Sequence, residues 1–138
     1  MKKFIIYTDG ASRGNPGPAS VGFVIQDEAG STLLSGHEYL GIATNNIAEY
    51  KAVQLSLEAL LKDFSDKLPC DVEFQGDSML IMSQLSGKFK IKNEGLREIC
   101  LKIKEIEPKV GRVTYSYTPR INNSIADSLA NKALDEMS

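Results

Sequence analysis

The chain has 138 residues, a length that fits one domain, spanning residues 1–138, with a core of its own. Its 42% hydrophobic and 25% charged residues are ordinary for a soluble globular protein, and no run approaches the roughly 18 apolar residues of a membrane span. The net charge of −2 excludes an unselective polyanion binder, because such binding needs many Lys and Arg contacts to phosphates.

Two features favour a cytoplasmic protein. The apolar stretch after Lys2-Lys3 stops at Asp9, too early for the hydrophobic region of a signal peptide. Cys70 and Cys100 have no metal-site spacing, and nothing points to an oxidising compartment. Both cysteines are therefore expected to be reduced thiols in the core.

The first half of the chain predicts three strands and a long helix. Apolar runs bounded by turn residues indicate strands over Lys3 to Thr8, Val21 to Asp27 and Thr32 to Ile42, arranged as an antiparallel meander. A loop rich in Gly, Pro, Ser and Asn separates the first two strands, and it is longer than an ordinary turn. Asn46 to Phe64 has a broad apolar face, which predicts a helix packed against the sheet.

The second half predicts two strands and three helices. These are a strand over Val72 to Gln75, a helix over Asp77 to Leu85 closed by Gly87, a helix over Leu96 to Ile106 stopped by Pro108, a strand over Arg112 to Tyr117 and a helix over Asn123 to Met137. A right-handed crossover makes the fourth strand parallel to one already in the sheet. The fold class expected from this βββαβααβα order is α/β, with a five-stranded mixed sheet, three antiparallel strands and then parallel ones, flanked by helices.

Four acids fall at the ends of these elements. Asp9 and Asp77 each follow a strand, and Glu49 and Asp127 lie in the first turns of helices. If the first and fourth strands are neighbours, their carboxyl ends open on one edge, where α/β sheets bind ligands. Each acid also has a simpler explanation: Glu49 and Asp127 have capping-box spacing, Asp77 could cap a helix, and Asp9 could begin a turn.

Convergence of the four acids would require a cation. Two carboxylates about 4 Å apart repel by roughly 4 kcal/mol at an effective dielectric constant near 20. All-oxygen ligands select hard cations such as Mg²⁺ or Mn²⁺, and Mg²⁺ commonly also binds substrate phosphate oxygens. The pattern therefore favours phosphoryl-transfer chemistry with two metal ions, one to activate a water and one to stabilise the leaving oxygen.

Four ordered segments cover nearly the whole chain: YTDGASRGNPGPASVG, TNNIAEYKAV, GDSMLIMSQLSG and NNSIADSLANKAL. In this order and at these separations they resemble the type 1 ribonuclease H family. The resemblance implies a ribonuclease H-like fold and an endonuclease that hydrolyses the RNA strand of RNA/DNA hybrids, leaving 5′-phosphate and 3′-hydroxyl ends. It implies no protein partner, and a monomer is expected. Two Mg²⁺ ions are expected with substrate, with Mn²⁺ as the alternative. The ions would be held by Asp9, Glu49, Asp77 and Asp127.

The resemblance also assigns substrate contacts. Backbone groups of two segments would face the minor groove and the 2′-hydroxyls of the RNA strand, and a 2′-hydroxyl is the group that marks RNA. These residues are Gly10, Ser12, Arg13, Asn15, Asn45 and Asn46. Thr44 and Asn93 match positions that hold a phosphate of the DNA strand in some relatives. For Thr44 and Asn45, helix capping is an equal alternative.

The chain departs from the family pattern at two places. Many members carry a histidine before the last helix, where this chain has Arg120, as in a subgroup with Pro-Arg at this point. Arginine can stabilise developing phosphate charge but cannot shuttle a proton at neutral pH. The single histidine, His37, matches no family position and is expected to be at the surface or half-buried. In SGKFKIKNEG an extended segment would put three lysines on one side, either to touch phosphates or as a solvated strand edge.

Two other functions are compatible with parts of the pattern. A non-catalytic hybrid-binding module could keep the fold, but four converging negative charges would repel its polyanionic ligand. A DNA-directed nuclease could keep the acids, but the TNN and RGNPG segments suit the reading of 2′-hydroxyls. A ribonuclease H is therefore the favoured interpretation.

Overall fold

The computed structural model describes residues 1–88 and 90–137, which form a five-stranded mixed sheet with helices on both faces. The strands are β1 (Lys3–Ser12), β2 (Gly17–Asp27), β3 (Thr32–Ala43), β4 (Cys70–Gly76) and β5 (Gly111–Tyr117). The helices are α1 (Asn45–Asp63), α2 (Met79–Leu85), α3 (Glu94–Val110) and α4 (Ser124–Glu136), with short 3₁₀ turns at Ser65–Lys67 and Arg120–Asn123.

The strands lie in the order β3-β2-β1-β4-β5. β1 pairs with β2, and β2 with β3, in antiparallel fashion, whereas β1 and β4, and β4 and β5, are parallel. This arrangement confirms the predicted mixed sheet and its element order. It also makes β1 and β4 neighbours, so their carboxyl ends share one edge of the sheet.

The main core lies between the sheet and the face covered by α1, α2 and α3. Its fully buried side chains include Ile6 of β1, Phe74 of β4, and Tyr50 and Leu57 of α1. The apolar residues of α1 thus pack on the sheet as predicted. This packing fixes the first turns of α1 beside the carboxyl end of β1.

α4 covers the opposite face of the sheet. A Cβ at Gly22 of β2 would lie 2.2 Å from the carbonyl oxygen of Ala126, so only glycine permits this approach of helix and strand. The Ser20 hydroxyl of the same strand donates to the carbonyl oxygen of Ala130. Together these contacts fix α4 against β2 and bring its first turns to the edge where β1 and β4 end.

The predicted loop after the first strand is much shorter than expected. β1 continues to Ser12 and β2 begins at Gly17, so that Gly10, Ala11 and Ser12 pair with Val21, Ser20 and Ala19. Small residues are present here because the segment pairs with β2 and lies against α1. Only residues 13–16 form the turn. Asp9 therefore lies inside β1, whereas the sequence had indicated a position after the strand.

Several helix boundaries also differ from the prediction. α3 does not stop at Pro108 but continues to Val110, which is fully buried in the core, and it ends at Gly111 with φ 139°. The predicted starts of two other helices, at Asp77 and Asn123, were too early in the chain. α2 begins at Met79 and α4 begins at Ser124.

The lysine-rich segment does not form a strand at residues 90–93, and Phe89 lies outside the described residues. Cys70 and Cys100 are free thiols, as predicted. Within residues 1–88 and 90–137, the helices are too short or too polar to cross a membrane.

Candidate active site

Three of the four predicted acids converge at the carboxyl edge of the sheet. Asp9, Glu49 and Asp77 each contribute a carboxylate oxygen to a group whose atoms all lie within 4.8 Å of one another. Asp9 is only 5% exposed and Glu49 only 8%. Two largely buried carboxylates and a half-buried one therefore share one small volume.

The sheet and α1 bring these acids together. In the parallel ladder Thr8 is opposite Gly76, so the residues that follow them, Asp9 within β1 and Asp77 just after β4, lie side by side. Glu49 reaches them because α1 lies directly over Gly10, where a Cβ would be 2.3 Å from the Glu49 nitrogen. The cluster thus depends on strand register and on one glycine.

Crowding of the carboxylates shifts their protonation. Burial, the charges of Glu49 and Asp77, and contacts with Asp127 together raise the pKa of Asp9 to about 9, and burial is the largest of these causes. Burial also raises the pKa of Glu49 to about 7, although a hydrogen bond from the Gly10 backbone opposes this rise. Without a cation the cluster retains protons at neutral pH.

Asp127 lies in the same cavity, next to the three converging acids. It contributes to the raised pKa of Asp9 through a side-chain hydrogen bond and its charge. Its Oδ1 lies 3.7 Å from Nη2 of Arg120, whose side chain is 81% exposed. The structure therefore places Arg120 at the mouth of the cavity, where it faces one of the acids.

The capping explanations of the acids do not hold. Thr44 caps α1 and Ser78 caps α2, each through a side-chain oxygen that accepts a backbone N–H. Glu49 lies in the second turn of α1, not the first, and no side chain caps α4. The acids therefore have no capping role and are available for chemistry.

The predicted RNA-binding residues lie mostly around this cavity, which has a volume of about 530 Å³. The lining residues among them are Gly10, Ser12, Arg13, Asn45 and Asn46. Asn15 is not among the lining residues, but its Oδ1 accepts the Asn45 N–H at 3.0 Å and joins the two predicted substrate segments.

Thr44 and Asn93 do not line the cavity. Both cap helices, since Thr44 Oγ1 accepts the Ile47 N–H at 3.2 Å and Asn93 Oδ1 accepts the Leu96 N–H at 3.0 Å. Lys90 and Lys92 line a separate surface depression with Arg97. His37 lies at the surface, as expected, with Nε2 2.9 Å from Oε1 of Glu136.

Several cavity residues were not predicted from the sequence. They are Ala11, Ser78, Tyr117, Asn131 and Leu134. Two of them carry signals that could have identified them. Tyr117 ends a parallel strand at the same edge of the sheet, and Asn131 lies one helical turn after Asp127, on the same face of α4.

The donor set fits a divalent cation. Its ligands are all carboxylate oxygens, the type that hard cations such as Mg²⁺ prefer. One of these oxygens, Oε2 of Glu49, is buried without a hydrogen-bond partner. A buried acceptor of this kind is costly unless something binds it, and a cation would both bind it and relieve the repulsion.

Comparisons with known proteins agree with this arrangement. The model of the family described as reverse transcriptase-like matches residues 7–133. Ribonuclease HI of Halobacterium salinarum is 42% identical over 130 residues, which are 94% of this chain and 63% of that protein. A bifunctional protein of Mycobacterium tuberculosis is 36% identical over 134 residues, and there the chain spans only 36% of the relative's length.

Solved structures are similar over nearly the whole chain. The crystal structure of RNase H1 from Halobacterium salinarum superposes with a TM-score of 0.89 at 40% identity, covering 97% of this chain and 98% of that one. LC11-RNase H1 in complex with an RNA/DNA hybrid gives a TM-score of 0.93 at 45% identity, with coverage of 97% and 98%.

The strand order and the carboxylates that β1, α1 and β4 bring together define a protein with the ribonuclease H-like fold. The chain belongs to the reverse transcriptase-like family and, within it, to the type 1 ribonucleases H.

Proposed function

We propose that residues 1–138 form one catalytic domain, an endonuclease that hydrolyses the RNA strand of RNA/DNA hybrids and leaves 5′-phosphate and 3′-hydroxyl ends. The observation that carries this proposal is the convergence of Asp9, Glu49 and Asp77 within 4.8 Å. Similarity to Ribonuclease HI and to an RNase H1 solved with a hybrid supports the choice of substrate. A binding module would gain nothing from this cluster, because it repels a polyanion.

The four acids hold the metal ions in this proposal. Asp9, Glu49 and Asp77 supply the central ligands, and Asp127 completes the set from α4. Two divalent ions, Mg²⁺ by preference, supply activation of a water and stabilisation of the leaving oxygen when they are bound. The acids lie on a sheet edge, a helix packed in the core and a helix fixed on the sheet, so they need little reorganisation to bind the ions.

The remaining residues bind and orient the hybrid. Gly10, Ser12, Arg13, Asn45 and Asn46 face the RNA strand from the cavity wall, and Asn15 holds the two segments together. Arg120 stabilises charge that develops on the phosphate, since its guanidinium stays protonated at neutral pH. Thr44 and Asn93 lie at the N-termini of α1 and α3, where N–H groups favour an anion such as a DNA phosphate.

One cleavage experiment tests the proposal. A labelled hybrid and sequence-matched duplexes of RNA and of DNA are incubated with the protein and Mg²⁺, with and without chelator, and the product ends are mapped. We expect metal-dependent cleavage of the RNA strand of the hybrid and little cleavage of the DNA duplex. Preferential cleavage of DNA would contradict the substrate assignment.

A pair of variants tests the site. Asp9→Asn should abolish cleavage while the protein stays folded, because it removes a buried carboxylate from the centre of the cluster. Asp66→Asn is the matched control, since Asp66 is exposed in a 3₁₀ turn beside Lys67 and should leave cleavage unchanged. Full activity of Asp9→Asn would overturn the metal-binding assignment. A cytoplasmic monomer without a protein partner stays a prediction.

A further inference from the structure

Two cationic side chains line the catalytic cavity within residues 1–88 and 90–137, and each faces an acid of α4. Arg120 lies opposite Asp127, and Arg13 Nη2 donates to Oδ1 of Asp135. Asp127 and Asp135 are eight residues apart, which is about 12 Å along a helix. The two arginines therefore lie at opposite ends of the cavity, and only Arg120 lies beside the acidic cluster.

The backbone that carries Arg13 is fixed, whereas its guanidinium is accessible. The Arg13 N–H donates to the Pro18 carbonyl oxygen at 2.8 Å, and a Cβ at Gly17 would lie 2.3 Å from the Arg13 carbonyl oxygen. The side chains of Arg13 and Asp135 are 45% and 67% exposed. An ion pair this exposed contributes only about 0 to 1 kcal/mol, so another anion can replace the carboxylate at little cost.

A phosphate is the anion that suits this position. Guanidinium groups bind carboxylates and phosphates with the same planar pair of N–H donors. Under the proposed function the scissile RNA strand occupies the cavity, and it carries one phosphate per about 3.4 Å of duplex axis. A separation of about 12 Å exceeds this spacing, so the phosphate that Arg13 reaches is not the scissile one.

We infer that the Arg13 side chain binds a backbone phosphate of the RNA strand away from the cleavage point, and that Asp135 occupies the guanidinium until substrate displaces it. This inference rests on the proposed function. It makes Asp135 a residue that weakens substrate binding, because its charge competes with the phosphate and repels it. The chemical step depends on the four metal-binding acids, so the contact of Arg13 with Asp135 should not change its rate.

Steady-state cleavage of the hybrid by three variants tests the inference. Arg13→Gln should raise KM about three- to tenfold and reduce the slope of log KM against log salt by about 1, with little change in kcat. Asp135→Asn should lower KM about two- to fivefold. In the Arg13→Gln background, Asp135→Asn should have no larger effect on KM than the control variant Glu136→Gln.

The matched control is Glu136→Gln. It removes the same charge from the same helical turn, but Glu136 faces His37 and not Arg13. An equal effect of Asp135→Asn and Glu136→Gln on KM would mean that only the general negative potential matters, and it would overturn the role of Asp135. An unchanged KM and salt slope in Arg13→Gln would overturn the inference as a whole.

A modified substrate identifies the phosphate. A single 2′-deoxy nucleotide with a neutral methylphosphonate linkage is moved along the RNA strand, with a 2′-deoxy phosphodiester at the same place as the reference. At one position the neutral linkage should raise KM for the wild type and have no effect on Arg13→Gln. If no position behaves in this way, the phosphate contact is wrong. If the wild type does not cleave the hybrid at all, the proposed function itself fails.

Discussion

The backbone of Gly10 lies so close to that of Glu49 that a Cβ at position 10 would be 2.3 Å from the Glu49 nitrogen. The Gly10 backbone also forms a hydrogen bond with the Glu49 carboxylate, which lowers the pKa of that group against the effect of burial. This one contact between β1 and α1 sets the separation of Asp9 and Glu49. The catalytic cluster therefore depends on the absence of a side chain at position 10.

Gly10→Ala should separate β1 from α1 and greatly reduce cleavage, by about 100-fold or more, because misplacement of catalytic groups by about 1 Å has effects of this size. It should also lower the free energy of unfolding, since the Cβ meets backbone atoms that cannot move independently. Cleavage assays and urea unfolding measure the two effects.

Gly30→Ala is the control for Gly10→Ala. Gly30 lies in the turn between β2 and β3 with φ 88° and no atom within 4 Å of a Cβ, so alanine there meets strain but no clash. It should cost about 1 kcal/mol of stability and leave cleavage unchanged. Equal loss of activity in the two variants would mean that Gly10 acts only through general stability.

The metal-free protein should become less stable as the pH rises. In the unfolded chain Asp9 and Glu49 ionise near pH 3.8 and 4.5, whereas in the fold their pKa values are raised to about 9 and 7. Between these limits the folded protein binds more protons than the unfolded chain, so the free energy of unfolding falls with rising pH. The stabilising contribution is complete below about pH 4 and is lost as the pH rises through 7 and 9.

Asp9→Asn should remove most of this pH dependence. In chelator at pH 8 we expect the variant to be more stable than the wild type, by on the order of 2 kcal/mol, because ionisation of Asp9 favours the unfolded wild-type chain and an amide has no such ionisation. Added Mg²⁺ should stabilise the wild type more than the variant, since it binds only the folded state. Thermal unfolding from pH 5 to 9 measures both effects, and parallel curves for the two proteins would contradict them.

The order of the elements and the acids could be predicted from the sequence, because both follow from local patterns and one topological rule. Apolar runs indicated the strands, and the right-handed crossover through α1 placed β4 beside a strand of the meander. With β1 as that strand, as the structure shows, Asp9 and Asp77 become neighbours. Glu49 and Asp127 followed because helices that pack on a sheet begin near its edge.

Features that depend on distant contacts could not be predicted. Gly10, Ala11 and Ser12 are weak strand formers, and their extended conformation comes from pairing with β2 and from the approach of α1. α3 continues beyond Pro108 because Val110 is buried in the core. The contact of Arg13 with Asp135 joins residues 122 positions apart, which no pattern in either segment indicates.

Arg120 should affect cleavage and not stability. Its side chain is 81% exposed and its contact with Asp127 is long, at 3.7 Å, so Arg120→Ala should change the free energy of unfolding by less than about 0.5 kcal/mol. We expect kcat to fall about tenfold, because a cation at the mouth of the cavity is lost. Single-turnover cleavage measures this effect directly.

Arg120→His distinguishes a charge from a proton carrier at this position. Histidine titrates near pH 6.5, so kcat of this variant should gain an inflection there that the wild type and Arg120→Lys do not show. The wild type should have no such inflection from residue 120, because guanidinium does not lose its proton in this range. An identical pH profile for all three proteins would mean that residue 120 does not contact the reacting phosphate.

Asn123 should be needed to hold α4 at the catalytic edge. Its Nδ2 donates to the Thr8 carbonyl oxygen at 2.8 Å, and the side chain is only 1% exposed. The bond joins the residue before Asp9 to the residue before α4, which carries Asp127. Asn123→Ala leaves a buried carbonyl without a donor and should lower the free energy of unfolding by about 1 to 3 kcal/mol. Urea unfolding measures this loss.

Asn123→Asp should be the more harmful change, because a carboxylate at this site has no donor for Thr8 and adds a buried charge near the acidic cluster. Asn122→Ala is the neighbouring control, since Asn122 is exposed and its substitution should change stability by less than about 0.5 kcal/mol. A destabilised Asn123→Ala that keeps full kcat would show that the bond supports the fold without positioning Asp127. A loss of kcat with unchanged KM, measured well below the melting temperature, would place the bond in the alignment of the catalytic acids.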